Sequence, residues 1–316
     1  MGNAHLKRAF SAKNNEFYTD ISTIHRELSN YREAFAGRAI VCPCNDAMRN
    51  FWIYLHKNFA RYKLRELVAT RFVRDGGPSY ALVYAGGNDA DVTEAQFIVL
   101  QEGGGYESAE VRQLIAGADI VVTNPPFSTA RFFAEMLFGM GAKFLFICTV
   151  NLFQRPNVFR RICAGEAWSG FNYNKQGCFA IPNSKGGGGA KNKIARLGGI
   201  SWLTNLENAK YCLRLEFNKK YNPAHYRHFD LFPEVLNVDN LKDIPCDYPG
   251  IIAVPVTILG YYQPGQFEIL DKSNGYCLND TLGKNEFLKT NKLRANTVGG
   301  KTVYERIWIK LKVQEG

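Results

Sequence analysis

Cysteine and histidine occur in this sequence, but never in the spacing of a metal site or a redox motif. None of the eight cysteines stands in a C-x-x-C pair, and none of the five histidines joins a cluster with zinc-like spacing. Disulfides are also rare outside oxidising compartments. We therefore predict no bound metal, and reduced, mostly buried thiols in a cytosolic protein.

Long apolar runs are absent as well. The apolar stretches have the length of strands, well below the ~20 residues that cross a bilayer as a helix. The first 13 residues are polar and basic, without the apolar centre of a secretion signal. We expect neither a membrane span nor an export leader.

Positive charge is in excess. The 316 residues include 39 lysines and arginines against 29 aspartates and glutamates, a net charge of +10. A hydrophobic content of 46% is that of an ordinary soluble globular chain. The positive surplus favours a polyanionic partner, because neutralising phosphates releases their counterions.

The most informative stretch joins an apolar run, residues 120–122, to Asn124-Pro125-Pro126-Phe127. The run predicts a buried strand, and the two prolines stiffen the chain directly after it. Helical spacing follows from residue 132 to 140. A strand, a rigid polar elbow and a helix are the elements that place ligand chemistry at the carboxyl end of an open α/β sheet. A strand that simply ends at prolines is the alternative.

Asn124-Pro125-Pro126-Phe127 resembles the catalytic motif of amino-group methyltransferases, above all those acting on adenine in DNA. An exocyclic aromatic amine is a poor nucleophile, since its lone pair is delocalised into the ring. The resemblance implies that the Asn124 side-chain oxygen and the Pro125 carbonyl accept the two amine hydrogens, which exposes the lone pair. It further implies that Phe127 stacks on the base and that S-adenosylmethionine donates the methyl group, leaving S-adenosylhomocysteine.

Candidate donor-binding residues lie before and after the first predicted strand, Ala39–Cys42. Most such enzymes have a glycine-rich turn after this strand, whereas here Pro43, Cys44 and Asp46 follow Cys42. This turn resembles that of the EcoRI-type adenine methyltransferases, although Pro43 and Asn45 depart from their pattern. Asp46 either contacts the donor or caps the next helix. The segment Phe17, Tyr18 and Thr19 resembles the one that packs beside the donor methionine in this class.

Glu102 is the remaining donor candidate. It follows residues 97–100, an apolar run that predicts another buried strand, and it is the only carboxylate of the turn. The EcoRI-type family carries an Asp-Gly-Asp-like turn at this point. The resemblance implies that Glu102 bonds the donor's adenine.

Residues 183–229 are strongly basic, with nine lysines and arginines, two glutamates and interleaved aromatics. Apolar segments at 179–182 and 200–204 predict a hairpin whose loop, 183–199, contains four successive glycines. Such a loop suits contact with DNA phosphates and a base rotated out of the duplex, and a solvated hairpin is the alternative. The candidate DNA contacts, with the tryptophan placed near the target base, are Lys185, Lys191, Lys193, Arg196 and Trp202.

Strands alternating with helices predict an α/β fold with a mainly parallel sheet. The resemblance implies a Rossmann-like S-adenosylmethionine-dependent methyltransferase sheet with helices on both faces and a smaller mixed C-terminal lobe for target recognition. We predict a mobile basic arm at 1–15, a catalytic domain at 16–215, and a DNA-contacting region at 216–316 packed on that core. Blocks at 239–255, 261–270 and 304–310 resemble the C-terminal region of the EcoRI-type family.

The resemblance therefore runs through most of the chain. It implies a site-specific enzyme that methylates N6 of a flipped-out adenine in double-stranded DNA. We expect a monomer in the cytoplasm, at the nucleoid, of bacterial or phage type, and leave open whether a restriction enzyme accompanies it. Two alternatives remain: a methyltransferase for RNA adenine or protein glutamine, and a non-catalytic DNA-binding relative.

Overall fold

The computed structural model describes residues 18–43, 50–71, 79–181, 193–207, 215–262, 264–274 and 276–312. The described chain divides into two compact units. The first holds the residues up to Val158 and those from Ser169 to 207, and the second holds Phe159–Trp168 and the chain from 215 onward. Outside the described residues lie the predicted arm 1–15 and the candidates Phe17, Cys44, Asp46, Lys185 and Lys191.

Ten strands and seven helices are described up to residue 207. The strands are β1 (Tyr18–Thr19), β2 (Ala39–Cys42), β3 (Glu66–Arg71), β4 (Ser79–Tyr84), β5 (Gln96–Leu100), β6 (Ile120–Thr123), β7 (Lys143–Thr149), β8 (Trp168–Ser169), β9 (Lys175–Ile181) and β10 (Lys193–Thr204). The helices are α1 (Ile21–Leu28), α2 (Arg32–Phe35), α3 (Asn50–Lys57), α4 (Phe59–Tyr62), α5 (Ala109–Gly117), α6 (Ala130–Gly139) and α7 (Pro156–Cys163).

The sheet of the first unit has a parallel centre. Its strands run in the order β1-β9-β10-β7-β6-β2-β3-β4-β5, and the four from β7 to β3 pair in parallel. The strands on either side pair antiparallel, so that β9 and β10 form the predicted hairpin. The fold is α/β, as the alternation of apolar runs and helical spacing predicted.

Both faces of this parallel centre are covered. Every residue of β2 and β6 is buried. On one face Ile40, Ile120 and Leu145 share a core with the helices α1 and α3. On the other face Phe133 of α6 packs edge-on against Phe146 of β7, at a centroid distance of 5.5 Å. Strands buried on two sides read as continuous apolar runs, which is why the sequence revealed them.

One strand does not match its prediction. The run at 97–100 was expected to be buried, but β5 is the last strand of the sheet order and its side chains are largely exposed. Phe97 and Val99 keep 54% and 56% of their surface accessible. A short apolar run has the same pattern at an edge as at the centre, so periodicity alone could not separate the two positions.

The second unit has a sheet and a core of its own. Its six-stranded sheet runs β11-β12-β13-β18-β14-β15, with only β12 and β13 parallel. Phe229, Phe232 and Trp308 lie in its core. Its elements are β11 (Arg227–Phe229), β12 (Phe232–Asn237), β13 (Ile251–Pro255), β14 (Phe267–Asn274), β15 (Tyr276–Cys277), α8 (Asn285–Thr290), β16 (Thr297–Val298), β17 (Lys301–Thr302) and β18 (Arg306–Leu311).

The described residues contain neither a membrane-spanning helix nor a metal-binding cluster. No described helix is both long enough and apolar enough to cross a membrane. Within the same ranges, no group of three or more histidine, cysteine, aspartate or glutamate side chains is arranged to hold a metal ion.

Candidate active site

The elbow after β6 has the form that its sequence predicted. Strand β6 ends at Thr123, residues 124–126 are irregular, and α6 begins at Ala130. The Thr129 N–H and hydroxyl both donate to the Pro126 carbonyl, at 3.0 and 3.2 Å, and close the turn. Pro125 is buried, whereas Asn124 and Phe127 are partly exposed. The rigid backbone is thus anchored, the Phe127 ring stays partly exposed, and the Asn124 amide oxygen is buried at the elbow.

A buried hydrogen bond ties this elbow to the turn after β2. The Thr123 hydroxyl donates to the Pro43 carbonyl oxygen at 2.7 Å. The two strands are parallel neighbours, with Val41 opposite Val121. The carboxyl ends of β2 and β6 therefore meet at one edge, where the turn predicted to hold the donor adjoins the motif predicted to be catalytic.

Cys42 does not present its side chain at this edge. Its thiol is fully buried in the core, and burial raises its pKa far above the ordinary value for cysteine. It alternates with Val41 along a strand whose two faces are both covered. The Cys42 side chain therefore packs in the core, and a role of Cys42 in donor binding stays a prediction.

The ring of Phe127 meets the β9–β10 hairpin. It lies edge-on to Phe179, with ring centroids 6.0 Å apart and planes at 88°. The Phe179 ring in turn lies over Gly177, where a Cβ would stand only 2.7 Å from a ring carbon. Because Phe179 is fully buried, it supports Phe127 from inside the core. The sequence reasoning missed Phe179 as a site residue, since only strand register brings it to the elbow.

Thr19 reaches the same corner of the unit. Strand β1 pairs with β9 so that Thr19 lies opposite Phe179, and the Thr19 carbonyl accepts from the Asn50 side chain at 2.7 Å. Thr19 is 3% exposed, and its hydroxyl has no hydrogen-bond partner among the described residues. A buried hydroxyl without a partner is costly. It is therefore suited to bond a polar ligand.

Glu102 has a local structural role. Its carboxylate accepts from the Ala109 N–H at 2.6 Å, at the start of α5. In the opposite direction, the Glu110 carboxylate of α5 accepts from the N–H groups of Gln101 and Glu102, each at 2.8 Å. Such reciprocal bonds satisfy donors that a helix N-terminus leaves unpaired. Capping explains this carboxylate, and a contact with the donor's adenine stays a prediction.

The turn that carries Glu102 nonetheless touches the central sheet. Gly104 has φ +69° and lies so close to the end of β3 that a Cβ would overlap the Arg71 carbonyl oxygen. The Thr70 hydroxyl donates to the Gly104 carbonyl at 3.3 Å. Only glycine combines this φ with this approach. The turn after β5 is therefore fixed against the end of β3, the neighbour of β2.

Trp202 is not available to DNA. Only 1% of its surface is exposed, and its ring packs in the core against Phe51 of α3, 6.0 Å between centroids. It lies opposite Ile147 in the pairing of β10 with β7. The prediction of a base contact by Trp202 is wrong, because the ring points to the covered face of the sheet. Arg196 of the same strand is exposed, and Lys193 pairs with Ile181 through its backbone.

The family model described as "Adenine-specific methyltransferase EcoRI" matches residues 5–312. The chain is 33% identical over 320 residues to Type II methyltransferase M.MgeORF184P of Mycoplasma genitalium, covering 97% of this chain and 98% of that protein. It is 31% identical over 334 residues to Type II methyltransferase M.EcoRI of Escherichia coli, covering 97% and 96%.

A solved structure gives a weaker likeness. A putative RNA methyltransferase from Pyrococcus horikoshii aligns with a TM-score of 0.33 and 12% identity, over 61% of this chain and 88% of that one. The assignment therefore depends on the sequence matches, which extend through both units. The chain belongs to the EcoRI family of adenine-specific methyltransferases.

Proposed function

We propose that this protein is a site-specific DNA methyltransferase that transfers the methyl group of S-adenosylmethionine to N6 of an adenine flipped out of duplex DNA. One observation carries the proposal. The Asn124-Pro125-Pro126-Phe127 elbow lies at the carboxyl end of β6 and is bonded through Thr123 to the turn after β2. Family membership supports the same substrate, since the relatives are Type II methyltransferases.

Asn124 and Pro125 supply hydrogen-bond acceptors for the amine. The Asn124 amide oxygen and the Pro125 carbonyl each accept one N6 hydrogen, and the nitrogen then rehybridises towards a tetrahedral form. A carboxamide is not a strong base, so the proton passes to solvent water after the attack rather than before it. S-adenosylmethionine, when bound, supplies the methyl group as the electrophile. The chain's own part is to hold N6 in line with that group, and positioning of this kind can lower a reaction barrier by about 7–11 kcal/mol.

Phe127 and Pro126 form the surface for the base. Phe127 is partly exposed and braced by Phe179, so a base stacked on the ring does not have to order it first. Stacking on aromatic rings is how flipped bases are held by enzymes that act on them. Pro126 keeps this ring at a fixed distance from Asn124, because the two prolines restrict the backbone between them.

The described residues fit a donor beside this elbow. The buried Thr19 hydroxyl has no hydrogen-bond partner within the described ranges and is the group that we assign to the donor. We also assign the Tyr18 backbone, Pro43 and the Cys42 backbone to the donor, and the Glu102 turn to the donor's adenine. Phe17, Cys44 and Asp46 remain candidates outside the described residues.

For the DNA we retain the basic hairpin loop and Arg196 as phosphate contacts, with Lys185, Lys191 and Lys193 of the same loop. The chain would act as a monomer on double-stranded DNA in the cytoplasm, at the nucleoid, and a restriction enzyme as companion stays open. Residues 216–316 would contact and recognise the target.

Incubation of the protein with labelled S-adenosylmethionine and three substrates tests the proposal: duplex DNA, tRNA, and a protein with an accessible glutamine. We expect label on duplex DNA, in N6-methyladenine after nucleoside digestion. The proposal would be refuted by label on cytosine, or by label that appears only on tRNA or only on the protein substrate. Calorimetric titration with the donor separates the non-catalytic alternative, which predicts no heat of binding.

A further inference from the structure

A polar recess of about 740 Å³ opens on the second unit. Its walls come from two segments, 219–227 and 237–243, that are separate in the sequence. Strand pairing joins them, since Arg227 of β11 lies opposite Asn237 of β12. All residues that line the recess belong to this unit, and none of them is part of the elbow or of the β9–β10 hairpin.

The aromatic wall of the recess is fixed before any ligand binds. The Tyr226 hydroxyl donates to the Asp243 carbonyl at 2.8 Å. The Tyr226 ring stacks on Tyr221, with centroids 5.7 Å apart at 29°, and Tyr221 packs on Tyr248 at 4.7 Å. A preformed wall of this kind loses little conformational freedom on binding, which favours affinity.

The two carboxylates of the recess are already paired with cations. Asp243 accepts from the Lys219 ammonium at 2.5 Å. Asp239 accepts from Arg306 at 2.6 Å, and only 8% of the Arg306 side chain is exposed. The negative charges of the wall are thereby compensated, by Lys219 of the recess and by Arg306 outside its lining.

Two lining cations remain uncompensated. Lys220 and Arg227 are exposed, and within the described ranges neither forms an ion pair. A concave surface with surplus cations, fixed walls and neutralised carboxylates favours an anionic ligand. Arginine suits phosphate in particular, because its guanidinium binds two oxygens at once.

We propose that this recess binds the sugar-phosphate backbone of DNA, with Lys220 and Arg227 as its phosphate contacts. The inference rests on the proposed function, which makes DNA the substrate. Shape favours the backbone over base edges. Base edges lie inside the grooves, so a protein element that contacts them must project from the surface, as a helix or a β-ribbon does. Phosphates lie on the outside of the duplex, so they can enter a recess on the protein surface.

The test compares the double variant Lys220→Ala/Arg227→Ala with the wild-type protein in binding to one fluorescent duplex. The salt concentration is varied between about 0.05 and 0.3 M, because the release of counterions makes the affinity depend on salt. We expect weaker binding and a plot of log affinity against log salt whose slope is shallower by roughly 1.8, about 0.9 for each phosphate that the variant no longer neutralises. Methyl transfer at saturating DNA should keep its kcat, because neither side chain belongs to the elbow. The KM for DNA should rise.

Two further variants make the result specific. Lys310→Ala/Lys312→Ala removes the same charge from exposed positions of the same unit outside the recess, and should change the slope less. Lys220→Arg/Arg227→Lys keeps both charges and should retain the slope. Thermal melting of each variant confirms that it is folded.

Three outcomes would overturn the proposal. One is a slope equal to wild type in the recess variant, and another is an equal reduction of the slope in both Ala variants. The third is methylation of additional sites at an unchanged slope, which would assign the recess to base recognition. Failure of the proposed function is distinct from all three, since wild-type protein would then place no methyl group on adenine.

Discussion

The Thr123 hydroxyl donates a 2.7 Å hydrogen bond to the Pro43 carbonyl, and this contact joins the end of strand β6 to the turn after β2. Both residues are buried. The proposed function needs the acceptors of Asn124 and the methyl donor to keep a fixed separation. Thr123 is therefore expected to be a positioning residue.

Thr123→Val removes the hydroxyl and keeps the shape of the side chain. We expect a loss of about 1–3 kcal/mol in the free energy of unfolding, the cost of depriving a buried acceptor of its donor. We also expect kcat for methyl transfer to fall by up to ~100-fold, as for a small misplacement of reacting groups. Urea denaturation and steady-state kinetics measure the two effects. Thr123→Ser retains the hydroxyl and should recover most of the activity, and an inactive Ser variant would argue against this role.

Gly177→Ala tests the support of Phe127. The added methyl group would stand 2.7 Å from a carbon of the Phe179 ring and must displace that ring, which contacts Phe127 edge-on. We expect kcat to fall by roughly tenfold with little change in donor affinity, because the displacement is at the base-stacking side. Gly198→Ala is the matched control in the same hairpin, since a Cβ there has open space. Equal kinetics for the two variants would show that Phe179 does not position Phe127.

Trp202 and Arg196 lie on one strand and should separate stability from DNA binding. Trp202→Ala is expected to cost roughly 3–5 kcal/mol in the free energy of unfolding, because it empties a large core site. The milder Trp202→Phe variant should bind duplex DNA as wild type does. Arg196→Ala should leave the unfolding free energy within about 0.5 kcal/mol but weaken DNA binding at low salt. Anisotropy with a labelled duplex measures DNA binding by both variants, and a DNA defect in folded Trp202→Phe would indicate a base contact by Trp202 after all.

Asp119 gives a pH-dependent prediction. The Ala39 N–H, which donates at 2.8 Å, and the nearby Arg65 guanidinium hold the pKa of the Asp119 carboxyl below its ordinary value. A carboxyl whose pKa is lower in the folded state stabilises the protein above its unfolded pKa, and that contribution disappears as the pH falls through the folded value. Asp119→Asn should therefore be less stable than wild type at pH 7, and the two unfolding curves should converge below about pH 4.

The control for this pH experiment is Glu107→Gln, at an exposed glutamate. Its difference from wild type should be small at every pH, because surface charges contribute little. A constant difference between Asp119→Asn and wild type from neutral to acid pH would contradict the linkage.

The sequence predicted features that are local. Two successive prolines restrict the backbone after a strand to few conformations, so Asn124-Pro125-Pro126-Phe127 predicted the elbow. Strands β2 and β6 are covered on both faces and are therefore continuous apolar runs, which predicted the parallel centre of the sheet. Features that depend on pairing between distant segments were not predictable. Phe179 reaches Phe127, and Arg227 reaches Asn237, only through strand register.

Trp202 is a second residue whose position depends on strand pairing and could not be predicted from the sequence. Ser201, Trp202 and Leu203 are all buried, so no alternation along β10 indicates which face the ring takes. Charge and aromatic content alone pointed to DNA contact, whereas pairing with β7 placed the ring under α3. The prediction that β5 is buried was wrong for a related reason, because its position at the edge of the sheet follows from the topology and not from its own residues.

The most direct test of the central claim is methyl transfer by Asn124→Ala, measured as N6-methyladenine in duplex DNA by mass spectrometry. The substitution removes one acceptor for the amine and leaves the prolines and Phe127 in place. We predict a loss of ~100-fold or more in kcat, as for other single transition-state hydrogen bonds, with donor and DNA still bound. Wild-type levels of N6-methyladenine from a variant that binds both would contradict the account.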